Sequence, residues 1–374
     1  GANVELGWDH TWSAAGTVDG TFYGAPLMAS VKSFVWYSPQ AFSKAGYEIP
    51  TTWDDVVALT DRIAADHPKG DVTPWCLGMA DGGTTGWSMT DWLEETLLAT
   101  SGISAYDAWA GHDVALDSPS AVNALGSVDS LLMRGGHVSG GRQGALSTTM
   151  EQAGQRLVDG SCLMMLASSS FETMLPAGTT ITDPKGRGEG GASGSPTAGG
   201  GATGGGTTTG GEPVENDSAA SDATTGGGTT TSAGPATSVS AFIFPGAADE
   251  DGNPPVLVGG DYLVSLNRAN GTSAAANAVM EYLTSAEWAQ QRAELGGVAT
   301  ANRGVDVSEV SSDVTVRATR ILQSRQSVIR LDASDSMPSQ VGTDALWTAL
   351  TSWTAGDLDA KKALAQAEAA WPSQ

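Results

Sequence analysis

The chain has 374 residues, with 18 Lys+Arg against 42 Asp+Glu and a formal net charge of -24. Neutralising phosphates takes clustered cations, so this balance excludes charge-driven binding to nucleic acid or to an anionic membrane surface. Hydrophobic residues make up 40%, enough for two lobes of ordinary size, while charged residues are only 16%, well below the ~25% usual in globular domains.

Residues 33–37 (SFVWY) read as a buried strand. Residues 39–47 read as a short helix with Pro39 at its start and Gly46 at its end. Thr52 caps a helix over 53–66 whose first turn holds Asp54 and Asp55, where the helix dipole favours negative charge. Residues 75–79 read as a strand, and a helix follows from about Thr90 to Thr100. Val122, Leu125, Val128, Leu131 and Leu132 recur at helical spacing, which predicts a helix over 119–133. Residues 150–158 read as helix and 162–167 as strand.

Residues 186–238 are mostly Gly, Ser, Thr and Ala, with almost nothing apolar. Such a stretch has nothing to bury against its ordering entropy, so a disordered insert is expected. Gly186, Gly188 and Gly191 formally match G-x-G-x-x-G, but no strand precedes them and no helix follows, so no phosphate cradle is built. After the insert, 241–245 and 256–267 read as strands, and 273–283, 285–295, 311–323, 343–354 and 357–369 as helices. Strands alternating with helices imply an α/β fold with a largely parallel sheet covered on both faces.

No window approaches the ~18 consecutive apolar residues of a membrane span. The chain begins at Gly1 without a basic-then-apolar leader, so either a removed leader or an absent start is expected. Cys76 and Cys162 are the two cysteines. Their spacing fits no zinc site and leaves one disulfide or two buried thiols open.

The four histidines, His10, His67, His112 and His137, form no H-E-x-x-H zinc helix, and no G-x-S-x-G elbow precedes a helix. Neither metal nor cofactor is expected. The adjacent acids Asp54/Asp55 and Glu94/Glu95 point about 100° apart on a helix, so both pairs read as solvated faces rather than converging acid–base pairs. Aromatics are more informative, because Trp numbers 12. A pyranose offers an apolar face for indole stacking and a rim of hydroxyls for carboxylates, amides and backbone groups. Trp36, Trp87, Trp92 and Trp347 lie at segment ends or beside Gly and acids, whereas Trp53, Trp109, Trp288 and Trp371 read as packing residues on helices.

Six stretches carry a family resemblance in order. They begin with DGTFYGAPLMASVKSFVWYSPQAFSKAGYEIPTTWDDVVALTDRI and PWCLGMADGGTTGWSMTDWLEETLL. LVDGSCLMMLASSSF, LVGGDYLVSLN, EYLTSAEWAQQRAELGGVATANRGVD and DASDSMPSQVGTDALWTALTSWTAGD follow. Together they resemble the bacterial extracellular solute-binding proteins of sugar importers, in the maltose-binding-protein-like, alpha-glucoside-binding branch. The resemblance implies a type II periplasmic-binding-protein-like fold of two lobes, with a ligand cleft between them and hinge closure. It implies three crossings, near Met28–Lys32, Gly259–Asp261 and Ser311–Asp335. The corresponding division is 1–32 as the remnant of an incomplete amino-terminal lobe and 33–260 as the carboxy-terminal lobe carrying the insert. Residues 261–310 are then a return segment of the first lobe, and 311–374 the hinge and further carboxy-terminal-lobe helices.

The same resemblance implies a Cys76–Cys162 disulfide and a ligand site drawn from Trp87, Asp91, Trp92, Trp347, Phe171, Gly260, Asp261, Asp335 and Lys32. It implies a monomeric, non-enzymatic receptor for a neutral saccharide, working with a membrane permease of an ABC importer. Location is expected outside the cell or in its envelope, lipid-anchored through a leader region this chain does not contain. A glycan hydrolase using Asp91 with Asp261 or Asp335 is the alternative. A displayed interaction module with the Gly/Thr tract as spacer is a third reading.

Overall fold

The computed structural model describes residue 4 and residues 7–182, 238–249, 252–266, 273–310 and 312–372. The insert predicted over 186–238 lies outside the described residues apart from Ser238, which opens a strand.

Two of the three sheets among the described residues organise the chain. The larger has five strands in the order Thr73–Trp75, Cys162–Leu166, Phe34–Tyr37, Ser238–Ile243 and Thr180–Ile181. Successive side chains of a strand face opposite ways, so Phe34 and Trp36 serve one core and Val35 and Tyr37 the other. All four are buried because helices cover both faces. The helices Trp53–Asp66, Trp87–Ser101, Pro119–Leu132 and Leu346–Ala355 cover the side of Val35 and Tyr37. Met150–Asp159 and Asp313–Gln323 cover the side of Phe34 and Trp36.

The alternation of strands and helices suggests a largely parallel sheet, but the large sheet is mixed. Its central strand is antiparallel to both neighbours. Parallel pairing joins Thr73–Trp75 to Cys162–Leu166 and Thr180–Ile181 to Ser238–Ile243. The cause is the point of entry: the central strand starts at Lys32–Ser33 while its neighbours run back towards those residues. Phe244 N–H donates to Ser33 O at 2.7 Å and Ala167 N–H to Phe34 O at 3.0 Å.

The smaller sheet runs in the order Val328–Leu331, Pro255–Val264, Gly24–Val31. Each of its strands carries one crossing between the sheets. The first lies at Lys32–Ser33 and the third follows Val328–Leu331 into the short helix Ala333–Ser336. The second is centred on Leu257, earlier than the expected Gly259–Asp261. Lys32 N–H donates to Leu257 O at 2.8 Å, and Leu257 N–H donates to Ser33 Oγ at 2.7 Å. Gly259, Gly260 and Asp261 already pair with Ser30, Ala29 and Met28.

Local chemistry explains most helix ends. Thr52 and Asp55 form a reciprocal capping box. Pro39 opens its helix, and Gly46 closes it in the left-handed region at φ 66. The strand expected over 75–79 ends at Trp75, and the helix expected from Thr90 begins at Trp87. Cys76 and Cys162 are bonded, with Cα atoms 5.3 Å apart, at neighbouring strand ends.

Candidate functional site

The helix Trp87–Ser101 brings two groups of residues together. At its start, Gly86 sits at φ 115, and a Cβ there would stand 2.5 Å from the Trp347 carbonyl oxygen. This close approach seats the helix Leu346–Ala355 against the first turn. Trp87 is half-buried and its Nε1 donates to Asp81 Oδ2 at 3.0 Å. With Met79, Asp81, Glu151 and Met174 it lines a cavity of about 200 Å³. Trp347 is also half-buried, and its Nε1 has no hydrogen-bond partner among the described residues.

One helical turn on, Asp91 shares the face of Trp87, since residues four apart are neighbours. It reaches Lys32, at the first crossing. Lys32 Nζ lies 3.1 Å from Asp91 Oδ1 and 3.7 Å from Asp335 Oδ2, and also pairs with Asp332. Burial works against the Lys32 ammonium, but the charges of Asp91, Asp332 and Asp335 outweigh it and hold its pKa well above the usual lysine value. Burial pushes Asp91 up to about 7, against the pull of Lys32. Asp332 stays below the ordinary carboxylate value despite its burial, because Lys32 and hydrogen bonds from Ser334 and the Asp335 amide favour its charge. The Asp335 side chain is 57% exposed. Asp261 is exposed on the second crossing strand.

Several expectations change here. Trp92 is core, only 1% exposed, with edge-on contacts to Trp75 at 5.0 Å and Phe244 at 6.0 Å. Phe171 is core too, 2% exposed and edge-on to Trp36 at 5.7 Å. Neither has a face to offer a ligand. Gly260 has a packing reason: a Cβ there would stand 2.4 Å from Met28 O and 3.0 Å from the Trp12 ring. Glu94 and Glu95 are buried rather than solvated. Glu94 accepts from Tyr106 Oη at 2.5 Å, Ala333 N at 2.8 Å and Ser334 N at 3.1 Å. Burial, with the Asp332 charge adding to it, still pushes its carboxyl well above the usual range. Asp91, one carboxyl of the hydrolase alternative, pairs with Lys32 at 3.1 Å.

Sequence reasoning missed Asp81, Met174, Asp332 and the Glu94/Glu95 pair. Asp332 had a signal: it stands three residues before Asp335, the N-cap spacing of a short helix, and its side chain accepts the Asp335 amide at 3.0 Å.

The family model for bacterial extracellular solute-binding proteins matches residues 3–290. The chain belongs to this family. Over 367 residues this solute-binding protein is 30% identical to the osmoprotective compounds-binding protein GgtB of Synechocystis sp., covering 98% of the chain and 72% of GgtB. It is 34% identical to the alpha-glucosides-binding periplasmic protein AglE of Rhizobium meliloti over 167 residues, 44% of the chain and 36% of AglE. Among solved structures, the solute receptor AcbH, described as preferring β-D-galactopyranose, superposes with a TM-score of 0.68 at 14% identity, over 98% of this chain and 76% of that one. The fold is therefore the type II two-lobed solute-binding fold. Family members are extracellular binding proteins rather than enzymes. No helix among the described residues is long and apolar enough to cross a membrane.

Proposed function

We propose that this chain is the substrate-binding component of an ABC-type importer and holds a neutral, alpha-glucosidic saccharide between its lobes. Trp87 carries the reading. It is an indole left half-open at a cavity mouth, fixed in orientation by Asp81, and one helical turn from the hinge cluster. Such a ring stacks on a sugar face, while Asp335 and Asp261 stand open to accept hydrogen bonds from its hydroxyls. Trp347 supplies a second indole from the adjoining helix. The similarity to AglE supports the alpha-glucoside class; the similarity to GgtB keeps osmoprotective compounds as the second reading, with small polyols as their probe. The lobe division proposed from the sequence, 1–32 with 261–310 against 33–260, is kept except at its second boundary, which moves from 260 to Leu257. Residues 311–374 supply the hinge and covering helices. The carrier acts as a monomer outside the cell and delivers its ligand to a membrane permease.

The test is calorimetry against maltose, trehalose, raffinose, galactose and small polyols. Saturable binding of an alpha-glucoside without release of glucose is the expected result. Binding confined to polyols would overturn the saccharide assignment, and turnover would overturn the carrier role.

A further inference from the structure

The chain has ten methionines, and all of them lie among the described residues. Met174 alone is exposed, at 45%, while the others are buried or half-buried. Met174 also lines the cavity of about 200 Å³ that Trp87 opens onto, with Asp81, Glu151 and two further thioethers, Met79 and Met150.

A packed turn holds Met174 there. It ends the 3-10 turn Ser169–Met174. At the start of that turn Ser169 Oγ accepts the Val31 amide at 3.2 Å. Glu172 accepts from the Gly297 amide at 2.6 Å and from Ser312 Oγ at 2.5 Å. Thr173 packs so close to Gly297 that a Cβ there would collide with it. Glu172 and Thr173 thus fasten the turn to residues 297 and 312, and Met174 is left at the cavity and in water.

A thioether is oxidised at sulfur, and access decides which methionine reacts. The oxidant here is a peroxide. Its O–O bond breaks and one oxygen passes to Met174 Sδ; sulfur loses two electrons, and the rest of the peroxide leaves as water or an alcohol. The sulfoxide is polar and chiral, and two reductases, one for each epimer, return it to the thioether. The new oxygen only accepts hydrogen bonds, and the cavity has little to give it. Asp81 and Glu151 are acceptors, and Trp87 Nε1 already donates to Asp81. The Thr149 hydroxyl is placed as a helix cap, accepting the Gln152 amide at 3.2 Å. Among the described residues no lysine, arginine or histidine lines the cavity. The oxygen therefore keeps water with it, in a wall that three thioethers make apolar.

We propose that Met174 is an oxidative modification site at the mouth of the Trp87 cavity: a peroxide converts it to the sulfoxide, which weakens ligand binding, and reduction restores both. The binding arm rests on the carrier function above; the modification arm does not.

The experiment treats the full chain with limiting hydrogen peroxide and follows the gain of one oxygen at each methionine by peptide mass spectrometry. Met174 should oxidise first, well ahead of Met150, with Met79 behind both. Met150 or Met79 reacting as fast as Met174 overturns the proposal. Calorimetry then measures maltose affinity in wild type and in Met174→Leu, each oxidised sample as a ratio to its own untreated form. Leu keeps apolar bulk without the sulfur. The wild-type ratio should fall about tenfold, the scale of one lost apolar contact, and recover after treatment with both sulfoxide reductases. The Met174→Leu ratio should stay level. Equal losses in the two proteins, or no loss in wild type once Met174 carries its oxygen, also overturn the proposal. Failure of any sugar to bind the untreated chain defeats the carrier assignment, and the order of oxidation still decides the modification site.

Discussion

Lys32 Nζ lies 3.1 Å from Asp91 Oδ1, which fastens the first crossing to the second turn of the helix Trp87–Ser101. Asp332 and Asp335 share that ammonium. Removing the cation from a buried pair leaves charges with no counterpart, a loss of about 3–5 kcal/mol. Lys32→Met should therefore lower unfolding free energy by that order in urea titrations at pH 7. A change under about 1 kcal/mol would mean that the aspartates simply take up protons.

Trp87 and Trp92 are five residues apart on one helix and face different fates. Trp92→Ala empties a site walled by Trp75 and Phe244 and should cost about 3–5 kcal/mol of stability. Trp87→Ala should leave the urea midpoint nearly unchanged and weaken saccharide binding about tenfold, the scale of one lost stacking contact. The paired measurements are urea titration and calorimetry. Equal affinity in wild type and Trp87→Ala would remove Trp87 from the site.

Gly86 combines φ 115 with a backbone oxygen 2.5 Å from where its Cβ would be. Both the strained dihedral and the collision act against any side chain. Gly86→Ala should cost about 1–3 kcal/mol and push the helix Leu346–Ala355 away from Trp87. The check is the urea midpoint together with Trp fluorescence, which should shift because Trp347 moves. A variant as stable as wild type would show that the loop re-forms without strain.

Much of this architecture was legible from local rules. Thr52 with Asp55, Pro39 with Gly46, and the apolar spacing from Val122 to Leu132 encode their helices through caps and periodicity, which need no tertiary partner. The run Phe34–Tyr37 is apolar at every position, and that is what burial on both faces requires. Strand direction was not legible, because it follows from where the chain enters the sheet. Glu94 and Glu95 misled because adjacent acids on a helix are usually hydrated. The corrective signal was present: Met89, Trp92, Leu93, Leu97 and Leu98 surround the helix with apolar material, and it is buried from Ser88 to Leu98. A helix buried all round takes its acids inside with it, so each must find a donor. Trp92 and Phe171 were equally open to a core or a cleft, since an indole or a phenyl ring suits both until its neighbours are known.

The Cys76–Cys162 bond has a practical outcome for anyone handling the molecule. The residues between them include the exposed turn at 113–115. A protease that nicks this turn produces two pieces still joined by one covalent link. On a denaturing gel they would migrate as a single species until a thiol is added, and only then separate into two bands.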